Sequence, residues 1–192
     1  MLSPGRAPTA REPDLRTAAP LTVIPAVPAP AQPAPDGLAP APPALFKASE
    51  RGYTPLGTVN IPAIGLVSEF SSGAYDEVLA RGIGHWPGTA LPGQAGNAVL
   101  SGHRTTHTSP FRNLHQLQLG NHIGVTIGAG PEVVYQVTET LIVPESDYVT
   151  VVTAPASSPN ARELTLFACH PSGFRTHRIV VRARIEGGGA TT

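Results

Sequence analysis

Residues 163–185, ELTLFACHPSGFRTHRIVVRARI, predict two antiparallel strands joined by a turn. Residues 164–168 are apolar at nearly every position, as in a central strand that is covered on both faces. Residues 177–185 alternate between two faces, one of them lined by isoleucine, valine and alanine. The proline and the glycine between these runs favour a turn. We therefore predict a hairpin that places Cys169, at the end of one strand, beside Arg178, at the start of the next.

Similar strand patterns occur along the rest of the chain from about Gly52. Short runs rich in Val, Ile, Thr and Leu are separated by Gly, Pro, Asn and Ser, which predicts many short strands. Residues 75–81 and 112–117 predict short helical segments. Many strands with few helices argue for an all-β barrel or sandwich. The other predicted strands are 57–64, 98–102, 122–127, 133–143 and 148–152.

The proline content divides the 192-residue chain into an arm and one domain. There are 22 prolines, and most of them lie between Pro4 and Pro43, among many alanines. Because proline fixes φ and small side chains bury little surface, we predict that residues 1–51 form a disordered Pro/Ala-rich arm, either a spacer or a passive tail. Residues 52–186 are long enough to bury one core. Residues 187–192 are predicted to be a flexible C-terminal tail.

Charge and cysteine content exclude several classes of protein. Lys+Arg is 13 and Asp+Glu is 13, so there is no overall basic field and no nucleic-acid partner is expected. A single cysteine excludes an internal disulfide framework and any multi-Cys zinc site. The sequence has no apolar run of about 18 residues, as a membrane-spanning helix requires, and no signal-peptide pattern at its start.

Three residues at strand ends are the candidate catalytic residues. Cys169 is either a small buried residue or a nucleophile, and its place before a Gly/Pro loop favours the nucleophile. His103 follows the predicted strand 98–102, so it also lies at a strand end. Arg178 is either a solvated edge residue or a donor aimed at a thiolate or an oxyanion. This set has no evident carboxylate partner, unlike a papain-type site, in which Asn or Asp orients the histidine.

Other polar residues near His103 are weighed in the same way. His103 and His107 form an HxxxH spacing, but the Thr-rich stretch is a poor helix without a third ligand, so no metal or cofactor is expected. Asn97, Ser101 and Thr105 are candidate substrate-binding residues, with hydrogen bonds inside their own turns as the alternative. Trp86 is expected to cover the barrel and His170 to pack near the thiol or to contact it.

Four blocks in this order resemble the sortases, the cell-wall cysteine transpeptidases of Gram-positive bacteria. They look most like the class E sortases of actinobacteria, with class F as a nearby assignment. The resemblance covers nearly the whole domain and none of the arm. The blocks are residues 57–66, which resemble the first strand; 80–93, which lead into the histidine strand; 102–106 with 110–114, around the histidine; and 164–169 with 178–181, the cysteine and arginine strands.

The resemblance implies an eight-stranded β-barrel and a two-step transpeptidation. Cys169 would attack the Thr carbonyl of a C-terminal sorting signal, LAXTG-like or LPXTG-like, and form a thioester. His103 would protonate the leaving amine and then deprotonate an incoming one, while Arg178 would hold the substrate and the oxyanion. The implied partners are secreted proteins with such a signal and a peptidoglycan precursor, or another amine, as acceptor. The implied place is the extracytoplasmic face of the membrane or the cell wall, and a monomer is expected.

Two alternatives stay open: a thioester hydrolase on the same barrel, and a non-catalytic surface binding module. The sequence also departs from the family in two ways. Sortases usually have Thr before the cysteine, whereas Phe167 and Ala168 precede Cys169 here. Typical members carry an N-terminal membrane helix, often ahead of a Pro-rich linker. The arm resembles that linker without the helix, so either the start is truncated or misassigned, or this member is not self-anchored.

Overall fold

The computed structural model describes residues 53–185. The predicted arm, 1–51, and the predicted tail, 187–192, lie outside the described residues, as do the two ends of the predicted domain, Gly52 and Glu186. None of the helices within 53–185 has the length and the apolar character that crossing a membrane requires.

Eight strands close into a barrel. They are β1 (Pro55–Ile61), β2 (Leu66–Ser72), β3 (Ile83–His85), β4 (Gly96–Ser101), β5 (His122–Ile127), β6 (Glu132–Pro144), β7 (Arg162–His170) and β8 (His177–Arg184). Their order around the barrel is β1-β2-β3-β4-β7-β8-β6-β5, and β5 pairs with β1 to close it. The β2–β3 and β4–β7 pairs are parallel, and the other pairs are antiparallel. The eight-stranded barrel that the resemblance implies is confirmed.

Short helices occupy some of the connections between strands. The α-helices of the described range are α1 (Asp76–Leu79) and α2 (Tyr148–Val152), and 3₁₀ turns occupy Pro62–Ile64 and Leu114–Gln116. The two helical segments that the sequence predicts therefore form, although both are shorter than predicted.

Two strand predictions need correction, and two strands were not predicted. The predicted strand 148–152 is wrong, because these residues form α2. Its β-branched residues favour a strand, but tertiary packing overrides that preference, since Val152 is fully buried in the helical conformation. The predicted strand 57–64 ends early, because Gly65, with a φ of 63°, completes a turn that leads directly into β2. The sequence reading also missed β2, which exposes Val67, and β3, which is three residues long.

The barrel interior is filled by apolar side chains from all eight strands. The alternation predicted for β8 is confirmed, since Ile179, Val181 and Ala183 face this interior while Val180 faces outward. The strand β7 is buried on both faces, also as predicted. The alternation of β8 fixes its register, because a slip of one residue would turn Ile179, Val181 and Ala183 out of the barrel interior.

A second apolar cluster, here called the outer cluster, covers the outside of β4, β7 and β8. It consists of Val99, Val152, Phe167 and Val180, with Trp86, Leu141, Val143 and Tyr148 packed against them. The ring centroid of Phe167 lies 5.7 Å from that of Trp86 and 5.6 Å from that of Tyr148. Trp86 thus covers the barrel, as expected. The outer cluster attaches α2 to the barrel wall.

The outer cluster predicts a large difference between two Phe→Ala substitutions. Phe167 is 4% exposed and Phe174, in the β7–β8 turn, is 64% exposed. We expect Phe167→Ala to lower the free energy of unfolding by about 3–5 kcal/mol, because it leaves a cavity between Trp86 and Tyr148. We expect Phe174→Ala to change it by no more than about 0.5 kcal/mol. Urea unfolding measures both, and equal midpoints for the two variants would show that the outer cluster does not stabilise the fold.

Candidate active site

The β7–β8 hairpin sets Cys169 directly opposite Arg178, as the sequence predicts. Two residues farther from the turn, Phe167 and Val180 form another opposed pair, and both belong to the outer cluster. Because side chains two residues apart share a face, Cys169 and Arg178 lie on the outer surface of the barrel, at the edge of that cluster. Cys169 is half-buried and Arg178 is buried.

The parallel pairing of β4 with β7 brings His103 to the same place. Ser101 lies opposite Phe167, and the backbone N–H of Gly102 donates to the Phe167 carbonyl at 3.3 Å. Extending this register by two residues, beyond the end of β4 at Ser101, would place His103 level with Cys169. The imidazole is half-buried, and its Nε2 is buried without a hydrogen-bond partner among residues 53–185. That nitrogen is therefore available for a proton transfer.

Burial and neighbouring charges set the proton affinity of His103. Burial lowers its pKa most, and a positive charge on His107 lowers it further. Asp76, on α1, raises this pKa, and Arg175 lowers it. The rings of His103 and His107 stack with centroids 4.9 Å apart. His107 and Ser109 have φ values of 54° and 45°, a left-handed conformation that is costly for these residues.

The guanidinium of Arg178 is held on several sides. It forms an ion pair with Glu145, and its Cζ lies 4.7 Å from the ring centroid of Tyr148 on α2. Its Nη1 also donates to the carbonyls of Arg175, at 3.2 Å, and His177, at 3.0 Å. Burial raises the pKa of the Tyr148 hydroxyl, while the adjacent Arg178 lowers it. These contacts fix a planar cation on the side of the hairpin where Cys169 lies.

A second arginine, Arg104, reaches the cysteine from the other side. Its Nη1 donates to the Nδ1 of His170 at 2.7 Å and to the carbonyl of Cys169 at 3.4 Å. Burial lowers the pKa of Arg104, and Cys169 raises it. The guanidinium thus links the loop that carries His103 to the end of β7.

The candidate substrate-binding residues are placed differently from one another. Ser101 is buried at the end of β4, next to the site, and Thr105 is exposed in the loop after His103. Asn97 lies at the opposite end of β4. It pairs with Glu163, which is six residues before Cys169 on β7, so it is about 20 Å from the cysteine along the extended strand. Its Nδ2 donates to the carbonyls of Val152, at 3.0 Å, and Ala154, at 2.9 Å, so Asn97 attaches the end of α2 to the barrel.

The remaining sequence interpretations concern metals and a carboxylate partner. Within residues 53–185, no group of three or more His, Cys, Asp or Glu side chains is arranged to hold a metal ion. The sequence analysis found no carboxylate partner for the histidine, whereas the structure brings the charge of Asp76 within electrostatic reach of His103. The sequence analysis also gave no role to Glu145 or Arg104. The contact of Glu145 with Arg178 follows only from the strand order of the barrel, in which β6 pairs with β8 and Val143 lies opposite Arg178.

Comparison with known proteins finds one family. A family model described as a sortase domain matches residues 59–186. The chain is 30% identical over 118 residues to sortase D of Bacillus subtilis, covering 62% of this chain and 56% of that protein. It is 31% identical over 134 residues to sortase SrtE1 of Streptomyces coelicolor, covering 64% of this chain and 38% of that protein. A solved Clostridium perfringens sortase D5 transpeptidase superposes with a TM-score of 0.61 at 28% identity, over 69% of this chain and 79% of that one.

The matches cover a larger fraction of this chain than of its curated relatives. The family match spans more than half of the 192-residue chain and includes His103, Cys169 and Arg178. The chain spans about half or less of the length of the two curated relatives.

The electrostatics of His103 predict opposite effects for two substitutions. Asp76→Asn removes the charge that raises the pKa of His103, so this pKa should fall. His107→Gln removes a charge that lowers it, so the pKa should rise. The exposed neighbour Glu77 on α1 provides the matched control, Glu77→Gln, which should leave it unchanged. NMR titration of the His103 ring measures all three, and an unchanged midpoint in Asp76→Asn would remove Asp76 from the site.

Proposed function

The chain belongs to the sortase family, and we propose from this that it is a class E cysteine transpeptidase acting on C-terminal sorting signals. It cleaves an LAXTG-like or LPXTG-like signal between Thr and Gly. It then transfers the protein to an amine of a cell-wall precursor. The observation that carries this proposal is the pairing of Cys169 with Arg178 across β7 and β8, together with the β4–β7 pairing that leads into His103 at the same end of the barrel.

The first step of the proposed reaction forms a thioester. The Cys169 thiolate adds to the Thr carbonyl carbon, and Arg178 holds the negative charge that develops on the oxygen. Protonated His103 gives its proton to the Gly nitrogen as the C–N bond breaks, which releases the C-terminal fragment as an amine. Arginine suits its role because its charge does not titrate near neutral pH.

The second step exchanges sulfur for nitrogen. The acceptor amine adds to the thioester carbon, and the neutral imidazole of His103 takes the proton that the amine loses. The C–S bond then breaks, which restores the Cys169 thiolate and leaves a new amide. One histidine thus moves a proton in each direction, and the group that acts as an acid in one step acts as a base in the next.

The residues that precede the cysteine are compatible with this chemistry. Ala168, which stands where the family usually has Thr, points into the barrel interior and is almost fully buried. Phe167 points into the outer cluster. The departure from the family pattern therefore changes packing on both faces of β7 and leaves the surroundings of the thiol to Arg178, Arg104 and His103.

The class and the cellular setting are part of the same proposal. Class E rests on the residues around His103 and on the similarity to SrtE1, with class F as the nearest alternative. The partners are secreted proteins that carry a sorting signal, and the acceptor is a peptidoglycan precursor or another amine. The protein then works as a monomer at the extracytoplasmic face of the cell envelope, with residues 1–51 as a spacer.

The transpeptidase proposal predicts a covalent adduct on Cys169. Incubated with a fluorogenic LAXTG or LPXTG peptide, the protein should gain the mass of the acyl fragment by intact mass spectrometry, and Cys169→Ala should not. We expect His103→Ala to slow cleavage by about 10²–10⁴-fold, since it removes the general acid and base. His122→Ala, at an exposed histidine on β5, is the matched control and should cleave at the wild-type rate.

Adding an acceptor amine distinguishes a transpeptidase from a hydrolase. Adding diglycine should convert the released product to its amide, whereas a product ratio that diglycine does not change would identify a hydrolase. No adduct and no cleavage with either peptide, together with intact folding, would instead favour the surface binding module.

The proposed proton transfers predict a bell-shaped dependence of kcat/KM on pH, with two macroscopic pKa values. These two values belong to the Cys169–His103 pair and to neither residue alone. Asp76 favours the protonated form of His103, so Asp76→Asn should move the profile to lower pH, and Glu77→Gln should leave it in place. A profile that is flat across neutral pH would contradict the role of His103.

A further inference from the structure

Arg104 is a buried cation for which the described part of the chain offers no carboxylate. The residue is 5% exposed, and within residues 53–185 the ion pairs of arginine with a carboxylate are those of Arg178 and Arg182. Its Nε is buried without a hydrogen-bond partner in the same range. An arginine side chain does not lose its proton in proteins, so its burial is unfavourable unless another group compensates the charge.

The contacts of Arg104 show which neighbour is left to do this. A guanidinium can only donate, so the Nδ1 of His170, 2.7 Å from Nη1, accepts, and the imidazole is neutral. Burial lowers the pKa of His170, and Arg104 lowers it further. His170 is therefore a dipole that orients the guanidinium and carries no opposite charge. The other contact, at 3.4 Å, is to the carbonyl of Cys169, whose thiol is the nearby group able to become an anion.

Arg178 differs from Arg104 in this respect. Glu145 already pairs with Arg178, so part of its charge is compensated before any substrate is present. Arg104 has no such partner, although both arginines approach the end of β7. The uncompensated positive charge at Cys169 is thus the one in the loop after His103.

We propose that Arg104 is the counter-charge of the Cys169 thiolate, a positioning residue that raises the fraction of the nucleophile present as the anion. The proposal deepens the function proposed above and rests on Cys169 as its nucleophile. The ionisable groups that face the thiol are Arg104 after β4, Arg178 on β8 and Tyr148 on α2, with His170 bound to Arg104 and Glu145 paired with Arg178. His103 joins them in the proposed mechanism.

The test uses alkylation of Cys169 by iodoacetamide, which reacts with the thiolate and needs no sorting peptide. The rate is measured against pH by intact mass for the full chain. Loss of an adjacent positive charge should raise the midpoint of this curve by about one pH unit or more in Arg104→Gln. Arg104→Lys keeps the charge and should restore most of the shift. Arg112→Gln, at an exposed arginine eight residues along the chain, is the matched control and should match the wild type.

A midpoint for Arg104→Gln equal to those of wild type and Arg112→Gln would overturn the proposal. If Arg104→Gln does not fold, the wild-type protein answers the question, because the side-chain ¹⁵Nε resonance of Arg104 should shift with the midpoint of Cys169 alkylation. Cys169→Ser should abolish that shift, and its persistence there would overturn the proposal. A shifted alkylation curve in a protein that cleaves no peptide would refute the transpeptidase function and leave the role of Arg104 standing.

Discussion

The parallel pairing of β4 with β7 is the constraint on which the candidate site depends. Ser101 lies opposite Phe167, and extending that register by two residues would align His103 with Cys169. The antiparallel strand β8 then supplies Arg178 from the other side of the cysteine. A slip of one residue in either pairing would turn one of these side chains into the barrel interior. Because β8 alternates between an apolar inner face and an outer face that carries Arg178 and Arg182, such a slip of β8 would also turn Arg182 into the barrel interior.

Helix α2 connects the stability of the fold to the geometry of the site. Its Tyr148 packs on Phe167 in the outer cluster and lies under the guanidinium of Arg178. A buried cation is costly unless its hydrogen bonds and charge are compensated. Glu145, the aromatic ring and two backbone carbonyls provide that compensation here. The position of the Arg178 side chain is thus set by the segment between β6 and α2 as much as by β8 itself.

The parts of the fold and of the candidate site that could be predicted are those encoded by short, local sequence patterns. The β7–β8 hairpin, with Cys169 opposite Arg178, follows from two strong strand patterns and one turn, and the structure confirms it. Residues 148–152 carry a strand-like composition, and only contact with the outer cluster makes them helical. Glu145 and Arg104 belong to segments that meet the cysteine through the order of strands around the barrel. No local pattern encodes that order, so their contacts could not be predicted from the sequence.

Positive charge near the proposed nucleophile acts in opposite directions on the two groups that exchange a proton. A cation such as Arg104 favours the anion of Cys169, whereas Arg175 lowers the pKa of His103 and so disfavours its imidazolium. In the proposed reaction, the leaving amine nevertheless takes its proton from that imidazolium. Asp76 opposes this effect from α1, without the direct hydrogen bond that orients the histidine of a serine protease triad. Because α1 lies outside the β4–β7–β8 register, the proton affinity of His103 can be adjusted there without moving the nucleophile.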